Sequence, residues 1–197
     1  MRGFNYKKTV QALNFFSERS GGTINKMKAI KMIWLSDRLH IRKYGRFITN
    51  DVYFALPHGP VPSTTRDILE ANPFLNPIEL EYSSRYIEVH NKYDFISINA
   101  PDLNVFSDSD IEVIKKIFEV YNACDQFRLS EISHVFPEWK KYDSAFSKGI
   151  ASRFVIDYLD FFENCNDGYD LFIDSDEELS ISKSIYLTSC NISAALQ

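Results

Sequence analysis

The chain has 197 residues, is 45% hydrophobic and 15% aromatic, and carries a formal net charge of −5, enough for one domain with a core of its own plus a modest extension. This composition excludes a disordered chain, and no apolar run approaches the ~20 residues needed to span a bilayer. Cys124, Cys165 and Cys190 form no CxxC pair, which argues against a zinc ribbon or a thioredoxin-type site and for buried thiols in a reducing compartment.

The opening MRGFNYKKTV lacks the apolar stretch of a signal peptide, so a cytoplasmic protein is expected. Charge is polarised along the chain. Eleven of the 22 basic residues but only two of the 27 acidic ones lie in residues 1–47. Either an electrostatic partner or neutralisation of one half by the other follows, and the second is the expectation.

In chain order, Tyr6, Val10, Leu13 and Phe16 recur at helical spacing, predicting a helix over 6–17 that Gly21-Gly22 ends. Thr23-Ile24-Asn25 offers caps for a second helix over 26–43. At 3.6 residues per turn, Met27, Ile30, Ile33, Trp34 and Ile41 share one face, and Ala29, Met32, Leu35 and Leu39 another. A helix apolar on two faces packs on both sides, leaving Lys31, Arg38 and Arg42 in the seam. Asp37 falls within the first apolar stripe and needs a donor there. Tyr44-Gly45 suits the helix end, because glycine takes the left-handed conformation readily.

Val52 to Ala55 reads as a short strand. Pro57 to Pro62 reads as a stiff loop whose prolines fix the backbone. Ser63 is the expected cap of a third helix over 64–71. Ile78–Tyr82, Tyr86–His90 and Phe95–Ile98 read as an antiparallel meander. Ser107 to Asp110 starts a helix carrying Ile111, Ile114, Phe118 and Tyr121 on one face. Leu129–His134 is a short helix, and Trp139–Phe146 adds a turn or two. From Asp157 to Glu178 there are six Asp, three Glu and no Lys or Arg, interleaved with Tyr158, Phe161, Phe162, Tyr169, Leu171 and Phe172. This segment is either an acidic helix plus loop packed on the domain or a partly disordered tail, with its apolar content favouring packing. Ile181–Leu196 is expected to form a final helix.

Motifs for chemistry are few. His40, His58, His90 and His134 form no HxxxH or HExxH, and no Walker A loop or GxGxxG is present. Ser63, His134 and Asp37 include the residue types of a triad but lack a nucleophile elbow. No catalytic residue, cofactor or metal is expected. The basic residues Lys26, Lys28, Lys31, Arg38, Arg42, Lys43 and Arg46 have the types that track phosphates, yet their helix is too apolar to lie in a groove. Nucleic-acid binding is therefore disfavoured.

The sequence nevertheless resembles the Panacea, or SocA-like, antitoxin domain family. The resemblance rests on Lys31-Met32-Ile33-Trp34, Asp37, Tyr44-Gly45-Arg46 and the loop His58-Gly59-Pro60-Val61-Pro62-Ser63. Downstream, Leu129-Ser130-Glu131-Ile132-Ser133-His134 and Phe136-Pro137-Glu138-Trp139 are similar to the family's second motif. It covers about residues 5 to 147. His58 stands where Tyr is more usual, Trp34 where Tyr is common, and the acidic stretch after Phe154 has no counterpart.

The resemblance implies a mainly helical α+β domain, placed over 1–150 with a helical core and the small antiparallel meander; residues 151–197 are expected to form an acidic extension of packed helix plus loop. It implies a non-enzymatic antitoxin whose partner is a cognate protein toxin neutralised by direct binding. The alternatives are an adaptor that delivers the toxin to an ATP-dependent protease, or a nucleic-acid-binding regulator. Such pairs serve phage defence or element maintenance. Lys31, Trp34, Asp37, Tyr44, Gly45, His58, Gly59, Pro60, Pro62, Ser63, His134 and Trp139 are the motif residues, read first as a structural polar network in which Asp37 and His134 meet. The second reading places the proline loop on the toxin-binding face. The acidic segment 157–178 is the other candidate contact, with a basic toxin surface.

Overall fold

Helix α2, Lys26–Tyr44, runs through the middle of the molecule, and every residue from Ala29 to Arg42 is buried. The computed structural model describes residues 3–165 and 170–195. Asn25 caps α2, its side chain accepting from the amides of Met27 at 3.0 Å and Lys28 at 3.3 Å. Gly45 ends it in the left-handed conformation at φ 64°, as a C-terminal glycine should. Around it pack α1 (Tyr6–Arg19), α5 (Asp108–Tyr121), α6 (Gln126–Ser133) and α9 (Asp176–Ala195). Shorter helices are α3 (Ser63–Leu69), α4 (Pro77–Ser84), α7 (Pro137–Lys140) and α8 (Asp143–Ser147).

Two three-stranded antiparallel sheets complete this mainly helical α+β fold. In the first, β1 (Thr23–Asn25) pairs with β5 (Asp94–Ser97), which pairs with β4 (Ile87–Val89). In the second, β2 (Tyr53–Leu56) lies between β3 (Gly59–Pro62) and β6 (Phe154–Val155).

Several sequence expectations change here. The proline segment is not merely a loop. Gly59–Pro62 is an edge strand in register with β2, Tyr53 opposite Pro62 and Leu56 opposite Gly59. An edge tolerates proline because it needs donors on only one side. Ile78–Tyr82 is helix, not strand. Asn76 accepts from the Ile78 amide at 2.9 Å and Pro77 occupies the first turn, a helix start that outweighs five residues of apolar clustering. The third strand of that sheet is β1 instead. Ser63 does not cap α3. Asp51 does, accepting from the amides of Thr64 at 2.9 Å and Thr65 at 2.7 Å. The final helix starts at Asp176, five residues earlier than expected, and Leu196 lies outside the described residues.

The acidic stretch packs on the domain through its aromatic side chains. Two 3₁₀ turns, Tyr158–Phe162 and Asp170–Phe172, bury Phe161, Phe162 and Phe172, while Tyr169 lies outside the described residues. Phe172 meets Phe136 edge-on at 5.1 Å, and Phe136 meets Trp34 of α2 at 5.0 Å. Fully burying side chains of this size contributes about 1.5–3 kcal/mol each. Part of the charge polarisation is neutralised internally: Arg38 pairs with Glu138 at 2.9 Å, Arg42 with Asp174 at 2.7 Å, Arg46 with Asp110 at 3.0 Å and Lys43 with Glu112 at 3.5 Å.

Candidate functional site

Lys31, Gly59, Pro60, Pro62, Ser63, His134 and Trp139 gather around the β2–β3 hairpin, with His58 at its tip and Asp37 bonded to its Tyr53. Three side chains from three helices take alternate carbonyls along it. Trp139 Nε1 of α7 donates to Leu56 O at 2.7 Å, Ser130 Oγ of α6 to His58 O at 2.9 Å, and Lys31 Nζ of α2 to Pro60 O at 2.9 Å. The hairpin is thus held along its length, and each of these three carbonyls has a donor.

Lys31 is fully buried, and burial alone pulls its ammonium down to about 7. Gly59 makes the close approach possible. Its φ is 102°, and a Cβ there would lie 2.0 Å from Ser133 Oγ and 2.5 Å from Lys31 Nζ. Pro60 and Pro62 are buried on the strand, Ser63 opens α3 with its amide on Val52 O at 2.8 Å, and His58 is exposed at the tip.

Asp37 and His134 do not meet. Asp37 accepts from the amides of Ile48 at 2.6 Å and Thr49 at 3.0 Å, from the Tyr53 hydroxyl at 2.6 Å, and from the Thr49 hydroxyl. Burial pushes its carboxyl upward, and these four donors oppose the shift. His134 instead stacks on Trp139 at 3.8 Å, with the rings 12° apart. Burial, then the nearby Lys31, lowers its pKa. Nor do Asp37, Ser63 and His134 form a triad. Among the described residues, no group of three or more His, Cys, Asp or Glu is placed to hold a metal, and no helix is long and apolar enough to cross a membrane.

Trp34 is fully buried beside Phe136. Tyr44 donates its hydroxyl to Glu112 at 3.0 Å. Gly45 lets α9 cross closely, since a Cβ there would lie 2.5 Å from Ser182 O and 2.7 Å from Ile185 Cβ.

The seam residues are the main surprise. Lys31, Arg38 and Arg42 are all buried, so they cannot track phosphates. Arg42 donates to Phe161 O at 2.9 Å, Glu163 O at 2.8 Å, Phe172 O at 3.0 Å, Asn164 Oδ1 at 2.6 Å and Asp174 Oδ2 at 2.8 Å. Burial, then neighbouring Arg38, lowers it to about 10, still charged at neutral pH. Arg38 adds a bond to Glu163 O at 2.8 Å and lies over the Phe136 ring at 4.5 Å. Burial pushes Glu138 up, and Arg38 counters it. On the far side, burial works against ionisation of Asp110, but hydrogen bonds from His40 and Lys8 outweigh it and hold the carboxyl well below its usual range.

A family model described as "Antitoxin SocA-like, Panacea domain" matches residues 30–140. The chain belongs to this antitoxin family. The matched span begins inside α2 and ends with α7, narrower than the 5–147 resemblance, and contains all the helix side chains that hold the hairpin. No curated protein and no solved structure matches the chain. Sequence reasoning missed Asp51, Ser130 and Ser133 as Panacea-domain scaffold residues. Ser130 and Ser133 stood within the quoted second motif, three apart on one helix face, and that spacing was the available signal.

Proposed function

We propose that the chain is the antitoxin of a toxin–antitoxin pair and neutralises its cognate protein toxin by direct binding. The observation that carries this is the hairpin clasp. Lys31, Ser130 and Trp139 hold three alternate carbonyls and leave Pro57 and His58 exposed at a stiff tip. A pre-ordered tip loses little entropy on docking. Lys31, Asp37, Gly59, Pro60, Pro62, Ser63, His134 and Trp139 serve as its frame, while Trp34, Tyr44 and Gly45 hold α2 to its other neighbours. In the same reading, residues 1–150 form the antitoxin domain, residues 151–197 complete its core, and the protein works in the cytoplasm.

The test is to find whether a toxin-like reading frame lies beside this gene and to co-express it with and without this chain, in cells that have or lack their ATP-dependent proteases. Growth restored in both backgrounds supports direct inhibition. Growth restored only where the proteases are present assigns the chain to proteolytic delivery instead.

A further inference from the structure

Beside the hairpin tip, the first turn of α2, the end of α3 and the Tyr93 turn enclose an open groove of about 410 Å³, within the size range of sites that bury a ligand group. Met27, Ile30, Val61 and Leu69 form its apolar walls, and the buried Lys31 lies beneath. Two aromatic rings stand at its lip, Tyr93 at 62% and Phe127 at 65% exposure. Exposed aromatics around an apolar pocket are the side chains that dominate protein–protein contacts. Lys26, Arg66 and Lys92 also line the groove, whose lining holds one carboxylate, Glu70, already bonded to Arg66 at 2.8 Å, with Asp94 behind it close enough to act on Lys26. This cationic rim is local, since the chain as a whole carries −5.

We propose that the groove receives a segment of the toxin in which a large apolar side chain is flanked by carboxylates, the apolar group entering between Val61 and Leu69 and the acids meeting Lys26 and Lys92. The proposal rests on the direct-binding function above and gives it a place and a chemistry. The apolar walls supply affinity, and the rim charges supply orientation and a salt-dependent association rate. This reverses the polarity expected from the acidic segment: the toxin side of the contact is acidic.

The test uses the full chain and the toxin encoded beside it. Lys92→Glu/Phe127→Ser alters two exposed groove positions, and Ile181→Ser/Ile192→Ser alters two equally exposed positions on α9. Both variants should melt as the parent does. Affinity for the toxin should fall at least about tenfold in the groove variant and hold in the α9 variant. Among overlapping short peptides of the toxin, the binders should carry an apolar residue beside Asp or Glu and should release at high salt. Groove variants that bind and neutralise like the parent overturn the groove while leaving direct binding intact. Loss in the α9 variant alone moves the contact to α9 and overturns it equally, as do basic peptide binders. A parent chain that neither binds nor neutralises the toxin removes the functional reading, and the groove proposal with it.

Discussion

The Tyr53 hydroxyl donates to Asp37 Oδ2 at 2.6 Å, tying the first strand of the hairpin to the middle of the central helix. The same carboxylate holds Ile48 and Thr49, so one buried acid fixes the whole connection from α2 to β2. Removing it leaves two amides and two hydroxyls without their acceptor, at about 1–3 kcal/mol each. Asp37→Ala should therefore lose most of the stability of a domain this size, and Tyr53→Phe about 1–2 kcal/mol. Thermal and urea unfolding check both. A well-folded Asp37→Ala protein that melts normally yet fails to neutralise toxin would move Asp37 from frame to contact.

Gly59→Ala should destabilise by more than about 2 kcal/mol, because the new methyl meets Ser133 Oγ at a backbone angle that L residues avoid. Ser133→Ala should relieve part of that loss by removing the hydroxyl, leaving the backbone strain. The pair is read by urea midpoints in a double-mutant cycle. Additive effects would contradict the close approach.

Lys31 predicts a pH dependence with a definite sign. Its folded value is about 7 against 10.5 when free. Below pH 7 both folded and unfolded chains bind the proton, and the folded one bears the burial. Between about pH 7 and 10.5 the unfolded chain alone keeps it, so stability rises with pH at up to about 1.4 kcal/mol per unit. Lys31→Met should lack this rise. Urea unfolding of both proteins between pH 6 and pH 9 isolates the contribution, and parallel profiles would refute it.

The segment beyond Asp157 should prove indispensable. Arg42→Lys keeps a charge but cannot reach five acceptors spread over residues 161–174, and should lose roughly 2–4 kcal/mol. Deleting residues 157–197 should abolish the cooperative melting transition by circular dichroism. A deleted chain that still melts cooperatively and neutralises toxin would contradict the core role of this segment.

What the sequence revealed depended on whether an interaction was local. The period of α2, the Asn25 and Gly45 caps and the need of Asp37 for donors are all set within a few residues, and they were legible. The burial of Arg42 was not, because its acceptors lie 119 to 132 residues away. Without them, three cations in a row of helical turns look like a solvated seam. Asp37 and His134 seemed natural partners by type, yet nearer groups satisfied the carboxylate first. The apolar clustering of Ile78–Tyr82 suggests a strand, whereas Asn76-Pro77 starts a helix there. At the candidate site, the hairpin residues were legible from the motif, but the groove was not, since Met27, Leu69, Lys92 and Phe127 meet only through tertiary packing.

The prolines of β3 have one more effect. In an antiparallel ladder alternate residues face away from the partner strand, and opposite Tyr53 and Ala55 those places are filled by Pro62 and Pro60. Neither has an amide hydrogen, and the Pro60 carbonyl is already occupied by Lys31. This margin of the sheet therefore cannot recruit a neighbour by strand addition. The same closed edge guards the fold against self-templated aggregation, and a partner docking on the hairpin would have to engage side chains rather than backbone.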